Sequence, residues 1–509
     1  MLARINTVAL EGVTARPVEV EVDLSRGLPS LNMVGLPEGA VKEAKDRVRA
    51  ALGNSGYRIP PRRVTINLAP ANLPKAGSGY DLPMALGLLA AMGSLSPEVL
   101  ENRIFLGELA LDGRIKPVPG ALPAALYARK REMELIVSGE NGPEAALTPD
   151  LSVIAPKTLL DLVQHLVGDT PLESVPTTNW QGWLDAETAL FRDLSEVKGQ
   201  EFAKRALEVV AAGAHNLIMS GPPGSGKTLL ARCLPGILPT LSLDEALEVT
   251  AIHSVAGKLP QGQPLVGIRP FRAPHHTASR VALIGGGGVP RPGEVSLAHR
   301  GVLFLDEIPE FGRNTLEVLR EPLEAGEVTI SRAARTTAFP ADFQLIAACN
   351  PCPCGHRGDP YRECRCHPGR VENYRAKLSG PLLDRIDLHV EVPPVPHEKL
   401  VAMADGEASS RVRERVSQAR EKQLRRNGQG MLNAGLIGEA LDRVTQLDEA
   451  GRSLLLNAGR KLGFSARTHH RLLKVARTIA DLAGAEKIEV DHLAEAVQFR
   501  VSGGFAGGD

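Results

Sequence analysis

Apolar and polar residues alternate differently in the two halves of the chain. Residues 1–167 mix short β-type runs with helical stretches, a pattern that predicts an α+β or α/β unit with its own core. The β-type runs lie at 18–22, 64–68, 104–111 and 134–137, and the helical stretches at 39–52, 82–92 and 122–130. Residues 168–190 are polar and proline-containing, so we read them as a linker whose tryptophans, Trp180 and Trp183, dock on a neighbouring part of the protein.

The second half begins with strand and helix patterns and ends in helices alone. Apolar runs at 217–219, 301–305 and 343–349 predict strands, and an amphipathic helix is expected over 201–212. Residues 191–396 therefore form one predicted α/β domain. Residues 397–502 form a helical domain, with helices near 410–427, 446–460, 467–483 and 490–500. The glycine-rich tail, 503–509, is predicted to be disordered.

A glycine-rich turn separates the strand at 217–219 from a helix-compatible run. The turn reads Gly221, Pro222, Pro223, Gly224, Ser225, Gly226, Lys227 and Thr228. This is the P-loop pattern in the strand-turn-helix context that it requires. Its backbone N–H groups suit phosphates, Lys227 reaches β- and γ-phosphates, and Thr228 holds Mg²⁺. The sequence thus predicts binding of ATP with Mg²⁺.

Two carboxylates, Asp306 and Glu307, follow the apolar run that ends at Leu305. With a P-loop upstream, this is the Walker B arrangement, in which Asp306 helps to hold Mg²⁺ and Glu307 polarises the attacking water. A pair of acids that merely ends a strand is the disfavoured alternative.

Charge and hydropathy limit where partners can bind. The 509 residues contain 59 Lys and Arg and 59 Asp and Glu, so any nucleic-acid surface must be a local patch or a pore lining. No run approaches the roughly 18 apolar residues of a membrane helix, and no signal-like segment opens the chain. We therefore expect a cytoplasmic protein without a membrane partner.

Four of the six cysteines form two C-x-C pairs, Cys352 with Cys354 and Cys364 with Cys366. Four thiolates suit one tetrahedral ion, so the spacing favours structural Zn²⁺. His356 or His367 could replace one cysteine, since C-x-C is less common than C-x-x-C. A reduced metal-free knuckle and a redox-sensitive loop are the alternatives.

The motifs of residues 191–502 resemble those of AAA+ ATPases. The resemblance implies that Val197 and Gly199 lie over the adenine and that Asn350 is the sensor 1 that orients the hydrolytic water. It also makes Arg385 an arginine finger acting on a neighbour's γ-phosphate, and Arg467 the sensor 2. An internal ion pair with Asp384 or Asp387 is the alternative for Arg385.

Two further segments resemble the substrate-contacting elements of AAA+ motors. Residues 271–288, with Arg280, resemble a helix-2 insert; we disfavour a metal at His275 and His276. Residues 327–339 resemble a pore hairpin, whose Arg332 and Arg335 would meet DNA phosphates. Arginines that pair with acids on a solvated hairpin are the alternative.

Residues 74–86 and 107–120 resemble the proteolytic domain of Lon-type proteases, a fold shared with ribosomal protein S5 domain 2. Alignment on those motifs places Gly79 where the nucleophilic serine belongs and Leu122 where the lysine belongs. Ser78 with Lys75 or Lys116 would have to meet within hydrogen-bond reach to replace them. We therefore expect a non-proteolytic scaffold or binding module.

Taken together, the chain resembles the ComM/YifB group of magnesium-chelatase-like AAA+ proteins. This implies a homo-hexameric, ATP-driven helicase that acts on single-stranded or branched DNA, in branch migration during natural transformation. The alternatives are a chelatase-type motor for metal insertion and a Lon-like ATP-dependent protease.

Overall fold

A computed structural model describes residues 2–180, 182–183, 191–260, 262–288, 290–332, 335–395, 406–428 and 430–501. The tail expected to be disordered, 503–509, and residues 181 and 184–190 of the linker lie outside the described residues.

The amino-terminal part is built on a mixed sheet, described as seven-stranded in the order β3-β4-β2-β1-β5-β8-β9. Strands β1 and β2 form a long antiparallel hairpin, in which Leu2 pairs with Asp23 and Glu11 with Thr14. On β4 every second side chain is buried, because alternate residues of a strand point to opposite faces. The strands are β1 Leu2–Glu11, β2 Thr14–Ser25, β3 Ser30–Val34, β4 Arg63–Ala69, β5 Arg103–Phe105, β6 Glu108–Leu109, β7 Ile115–Lys116, β8 Glu134–Ile136 and β9 Val153–Ile154.

Helices cover this sheet, and the innermost is buried along its whole length. That helix, α2, is apolar almost throughout, which is why it lies between the sheet and α1. The helices are α1 Gly39–Asn54, α2 Asp81–Ala91, α3 Ala121–Lys130, α4 Gly142–Ala145 and α5 Leu159–Val167.

The second sheet is parallel in the described residues and has the order β11-β14-β17-β10-β18. Its central strands β10, β14 and β17 are buried at every position, as expected for a parallel sheet covered on both faces. The strands of this part are β10 Leu217–Ser220, β11 Phe271–Arg272, β12 Gly285–Gly286, β13 Arg291–Pro292, β14 Val302–Leu305, β15 Glu327–Arg332, β16 Arg335–Pro340, β17 Gln344–Cys349 and β18 Leu388–Glu391.

The remaining helices surround this sheet and form a helical carboxy-terminal part. Helix α18 carries a continuous apolar face that joins the core of the parallel sheet. The helices are α6 Glu201–Gly213, α7 Lys227–Ile237, α8 Leu243–Val255, α9 Arg280–Ile284, α10 Glu294–Leu297, α11 Arg313–Glu317, α12 Pro322–Ala325, α13 Pro368–Arg375, α14 Gly380–Leu383, α15 Ser409–Asn427, α16 Gly438–Val444, α17 Glu449–Leu462, α18 Ala466–Leu482 and α19 Val490–Val501.

The amino-terminal part contacts the parallel-sheet part through a small apolar cluster and a buried carboxylate. Trp180 and Trp183 pack against leucines of both parts, including Leu122 and Leu241. Beside them Glu144 accepts hydrogen bonds from the Leu122 N–H (2.9 Å) and from the Ser254 hydroxyl of α8. Burial raises the pKa of Glu144. The junction is therefore a packed interface and not only a tether.

The α/β class expected for the nucleotide-binding part is confirmed, and its sheet is parallel in the described residues. The apolar run at 104–111 is not one strand, because the chain turns away at Gly107 between β5 and β6. A Cβ on Gly107 would lie 2.8 Å from Ile115 Cγ2, so the backbone passes there only without a side chain. The first strand, β1, had no counterpart among the runs read from the sequence.

Candidate functional site

The candidate site lies where three buried parallel strands end side by side. Register pairs Ser220 of β10 with Cys349 of β17, and Leu305 of β14 with Ala347 of β17. The residues that follow these strands, Gly221, Asp306 and Asn350, therefore emerge at one edge of the sheet. In open α/β folds this carboxyl edge is where ligands bind.

The P-loop backbone adopts conformations that glycine permits. Gly224 and Gly226 have φ of +77° and +94°, in the left-handed region, and Gly226 precedes the first turn of α7. A Cβ on Gly221 would overlap the carbonyl oxygen of Val392. The loop thus presents main chain, and the amino terminus of α7, to the site.

Lys227 is held at the mouth of this loop. Its Nζ donates to the carbonyl oxygens of Gly221 (2.7 Å) and Pro222 (2.9 Å), and lies 3.4 Å from Asn350 Oδ1. Burial lowers the pKa of the Lys227 ammonium, since its closest acceptors are neutral. An arriving polyphosphate would supply the charge that this buried cation lacks.

The Thr228 hydroxyl donates to Asp306 Oδ2 at 2.8 Å. The two oxygens are those predicted to hold Mg²⁺, and they adjoin each other without intervening protein. Hydroxyl, carboxylate and phosphate oxygens are the donors that Mg²⁺ prefers. The residues present therefore fit a Mg²⁺-nucleotide.

Glu307 lies beside Asp306 in an unusual backbone conformation. Its φ of +50° is in the left-handed region that non-glycine residues seldom adopt and that is frequent at functional sites. Its side chain is 53% exposed, and its Oε2 lies 3.7 Å from His276 Nδ1. The carboxylate faces open space and has a basic neighbour.

Sequence reasoning did not connect His276 with this site. The ring belongs to the segment that follows β11 and stacks with that of His275 at a centroid distance of 4.1 Å. The sequence assigns the histidine pair to the helix-2 insert and disfavours a metal there. No sequence pattern pairs residue 276 with residue 307; the adjacency of β11 and β14 in the sheet does so.

Val197 and Gly199 lie in the segment that approaches the P-loop from the opposite side. Val197 is buried, and the following residue, Gln200, donates through Nε2 to the carbonyl oxygens of Ser225 (3.2 Å) and Pro393 (2.5 Å). Gln200 thus ties the segment to the loop, a contact that the sequence did not indicate.

Arg385 lines a cleft of about 690 Å³ together with Arg280, Arg320 and Glu324, and no P-loop residue lines that cleft. Its side chain is 7% exposed, pairs with Glu324 and donates to the Pro381 carbonyl. Arg385 Nε has no acceptor among the described residues. The pairing considered from sequence was with Asp384 or Asp387; the partner in the described structure is Glu324.

Arg467 is exposed on the first turn of α18, after the capping residue Ser465. One turn later, Arg471 forms an ion pair with Asp387. Asp387 is almost fully buried, accepts from the Asn216 N–H at 2.9 Å and lies 3.5 Å from His215 Nδ1. Burial would raise the pKa of Asp387, but Arg471 and His215 hold it well below its usual range. This joint connects α18 to the segment that carries Arg385.

Cys352, Cys354, Cys364 and Cys366 converge on one point, with all four sulfur atoms within 4.8 Å of one another. The Sγ of Cys352 lies 3.4 Å from that of Cys354 and 3.6 Å from that of Cys364. A tetrahedron with Zn–S bonds of about 2.3 Å has edges of about 3.8 Å, so the thiols fit a Zn²⁺ ion. His356 is not part of this group of four; its Nδ1 lies 2.9 Å from Asp359 Oδ2.

This cysteine knuckle rests directly on the P-loop. Gly355 has a φ of +84°, and a Cβ there would lie 2.6 Å from Pro223 Cδ and 3.9 Å from Asn350 Cγ. The first cysteine pair thus begins two residues after Asn350, whose Oδ1 contacts Lys227. Sequence reasoning placed the cysteines near Asn350 along the chain but did not indicate this contact.

The hairpin β15–β16 pairs Arg332 with Arg335 across its end. The side chains of both arginines lie outside the described residues, so their orientation is not described. In its middle the hairpin is packed: Thr337 is buried, and a Cβ on Gly12 of the β1–β2 turn would lie 2.7 Å from the Ala338 carbonyl oxygen. Arg280 is exposed at the start of α9.

The two positions aligned with a Lon-type dyad serve packing. Gly79 is buried, and a Cβ there would lie 2.8 Å from Leu106 Cδ1; Leu122 is fully buried. Lys75 is also fully buried and donates to the Pro70 carbonyl. These surroundings offer apolar contacts where a peptidase needs a nucleophile and a base.

The fold and the strand-end residues define a P-loop ATPase of the AAA+ class. Family models match the chain over three consecutive ranges: "Subunit ChlI of Mg-chelatase" at residues 20–141, "Magnesium chelatase, subunit ChlI" at 193–400 and "Magnesium chelatase, subunit ChlI C-terminal" at 406–500.

Full-length relatives agree with these matches. The chain is 46% identical over 500 residues to "Competence protein ComM" of Haemophilus influenzae, covering 98% of this chain and 97% of the relative. It is 47% identical over the same length to "Uncharacterized protein YifB" of Escherichia coli. A "Magnesium-chelatase 67 kDa subunit" of Chlorobaculum parvum is 26% identical over 161 residues, or 31% of this chain and 23% of that protein.

The chain belongs to the ComM/YifB family of magnesium-chelatase-like AAA+ proteins. Within the described residues, no helix combines the length and apolar character needed to cross a membrane.

Proposed function

We propose that the protein is an ATP-driven motor that translocates on DNA as a homo-hexameric ring and drives branch migration of recombination intermediates in natural transformation. The observation that carries the ATPase part is the convergence of Lys227, Thr228, Asp306 and Asn350 at one edge of the parallel sheet.

Each of these residues has a physical task in hydrolysis. In bound Mg²⁺-ATP the nucleotide would supply the phosphoryl group, and Mg²⁺ would neutralise charge on the β- and γ-phosphate oxygens. Lys227 exchanges its two carbonyl acceptors for phosphate oxygens, and Thr228 with Asp306 holds the metal. Glu307, whose carboxylate is half exposed, polarises the attacking water, which Asn350 orients. Val197 and Gly199 cover the adenine, and Arg467 reaches the γ-phosphate from the helical part.

The proposed ring is supported by the position of Arg385. We infer that it acts on the nucleotide of a neighbouring subunit, because its cleft shares no lining residue with its own P-loop. The buried pairing with Glu324 then describes the finger at rest, and its unpaired Nε is free for a phosphate oxygen. Subunit association would place that phosphate at the cleft.

Action on DNA rests on the candidate contacts Arg332, Arg335 and Arg280, and on the name of the Haemophilus relative, a competence protein. In a ring, hairpins repeated by each subunit multiply weak phosphate contacts. The amino-terminal part, with Gly79 and Leu122 buried, serves as a non-proteolytic scaffold of the Lon type.

The cysteine knuckle is proposed to hold structural Zn²⁺. Metal analysis of protein purified without chelator should find about one Zn²⁺ per chain, and none in Cys352→Ser, because thiolate ligation contributes directly to the fold of such a loop. Four freely titratable thiols with no metal would remove the site.

A chelatase-type motor is a second candidate, favoured by the match to magnesium-chelatase subunit models. It would require partner subunits and a tetrapyrrole. ATPase stimulation by a tetrapyrrole-binding partner, with none by DNA, would establish this alternative.

Single-residue variants distinguish hydrolysis at a subunit's own site from its activation by Arg385 of a neighbouring subunit. Glu307→Gln should bind ATP and lower turnover by roughly 10²-fold or more, whereas the exposed neighbour Glu310→Gln should not. Lys227→Ala should lose nucleotide binding. Arg385→Ala should assemble yet not hydrolyse, and mixing it with Glu307→Gln should restore part of the activity, since each supplies what the other lacks. Inactive mixed rings would contradict trans action.

A further inference from the structure

The cysteine knuckle carries a group of basic side chains that are exposed to solvent. Between residues 352 and 370 the chain has four arginines and two acids. All four arginines are exposed, and Tyr361 beside them is 63% exposed. We call this set the knuckle surface: Arg357, Tyr361, Arg362, Arg365 and Arg370.

The guanidinium groups of the knuckle surface have no acidic partner among the described residues. In the described part of the protein, no ion pair or side-chain hydrogen bond engages any of its four guanidinium groups. Some other arginines of the protein are paired, as Arg415 is with Glu208 and Glu407. Of the two local acids, Asp359 is already engaged by His356 and by the Tyr361 N–H. Although the whole chain has no net charge, this segment therefore has more basic than acidic side chains.

The arginines are not explained by the sulfur cluster beneath them. A tetrathiolate Zn²⁺ centre carries negative charge, which nearby cations could offset. However, the donors to Cys354 are the backbone N–H groups of His356 and Arg365. The side chains are exposed to solvent, so their charge is available to a partner.

We propose that the knuckle surface binds DNA, with its guanidinium groups on backbone phosphates and Tyr361 stacked on an unpaired base. Guanidinium groups pair with phosphate oxygens in a bidentate way, and aromatic rings next to basic grooves bind single strands. This deepens the proposed DNA motor and rests on it. The surface is distinct from the hairpin β15–β16 and from Arg280.

Its position gives the knuckle surface a consequence for hydrolysis. Gly355 lies against Pro223 of the P-loop, and Asn350, two residues before Cys352, contacts Lys227. If DNA binding shifts the cysteine knuckle as one unit, the contacts of Gly355 with Pro223 and of Asn350 with Lys227 would move together. DNA on the knuckle surface thus raises ATP turnover.

The test compares two variants that lose equal charge. The knuckle variant changes Arg357, Arg362, Arg365 and Arg370 to Ala; the control changes the exposed Arg49, Arg58, Arg443 and Arg452 to Ala. Binding of a fluorescent single-stranded oligonucleotide is measured by anisotropy over a range of salt concentrations, with and without ATP. Each lost phosphate contact lowers the slope of log K against log salt by about 0.7 for single strands.

We expect the magnitude of that slope to be smaller in the knuckle variant by about 1.4 to 2.8. The variant should also lose most of the stimulation of its basal ATPase activity by DNA. A variant that changes the same four arginines to Lys should keep much of the wild-type slope. Tyr361→Ala should weaken binding of single-stranded DNA more than binding of duplex DNA. Zinc content of about one per chain in each variant shows that the knuckle is folded.

A knuckle variant with wild-type slope and stimulation would overturn this inference without affecting the proposed DNA motor. Equal losses in the control variant would do the same. Binding of anionic vesicles or polyglutamate that depends on the knuckle surface, with DNA binding unchanged, would also overturn it. Wild-type protein that binds no DNA at low salt would instead refute the proposed DNA motor.

Discussion

Replacing Arg471 by Ala tests the joint between the helical part and the parallel sheet. Arg471 of α18 is the charged partner of Asp387, whose side chain is 2% exposed against 22% for Arg471. Removing the arginine leaves a carboxylate buried with the Asn216 N–H and the weakly placed His215 as its remaining partners. Breaking a buried pair in this way costs about 3 to 5 kcal/mol.

Replacing Asp387 instead should lower the free energy of unfolding by less, because the remaining Arg471 is partly exposed to water. In Asp387→Asn the partly exposed Arg471 turns to solvent and the amide oxygen still accepts from Asn216, so we expect about 1.5 kcal/mol. The double variant should cost less than the two single variants together, since the stranded carboxylate is gone.

The loss in Arg471→Ala should depend on pH. In the wild type the pKa of Asp387 is lowered, so its contribution is present above the ordinary value of about 3.9 and is lost as pH falls through the folded pKa. In the variant burial raises the pKa, and protonation relieves the penalty. The difference between the two proteins should therefore shrink as pH falls through the raised pKa.

Hydrogen exchange of the backbone amides in Ala466–Leu482 measures the local opening free energy of this helix, without assuming two-state unfolding of a large chain. Opening free energies should fall in Arg471→Ala at pH 7.5 and recover toward the wild type at pH 5. A loss below about 1 kcal/mol, or one that does not change with pH, would refute the buried ion pair as the joint.

The remaining predictions concern the knuckle contact and the junction. Gly355→Ala should weaken ATP binding about tenfold in calorimetry, because its Cβ would press on Pro223, whereas Gly358→Ala, also at positive φ but with open space around it, should not. Equal effects of both would point to backbone strain alone. Glu144→Ala should strand the Leu122 N–H, lower stability by about 1 to 3 kcal/mol and shift the emission of Trp180 and Trp183 to the red, since they flank the junction. Unchanged emission, or the same shift in the exposed control Glu140→Ala, would contradict the packed junction.

The sequence predicted the parts of the site that depend on local order. A P-loop between a strand and a helix, and acids directly after a buried strand, fix their own geometry, and Lys227, Thr228 and Asp306 lie together as those motifs imply. The cysteine spacing likewise indicated four converging thiols.

Contacts set by the neighbourhood of strands and helices were not readable from the chain. His276 meets Glu307 because β11 lies beside β14, and Gly355 meets Pro223 because the loop after β17 folds back over the loop after β10. Arg385 illustrates the same limit. Its motif predicts an arginine finger, but its burial against Glu324 depends on α12, more than fifty residues earlier.

Branch migration of a synthetic four-way junction tests the central proposal most directly. Wild-type protein with Mg²⁺ and ATP should convert the junction into duplex products, while Glu307→Gln, and wild type without ATP, should bind the junction and leave it intact. Resolution that proceeds equally without ATP, or an active ATPase that neither binds nor moves the junction at low salt, would contradict an ATP-driven DNA motor.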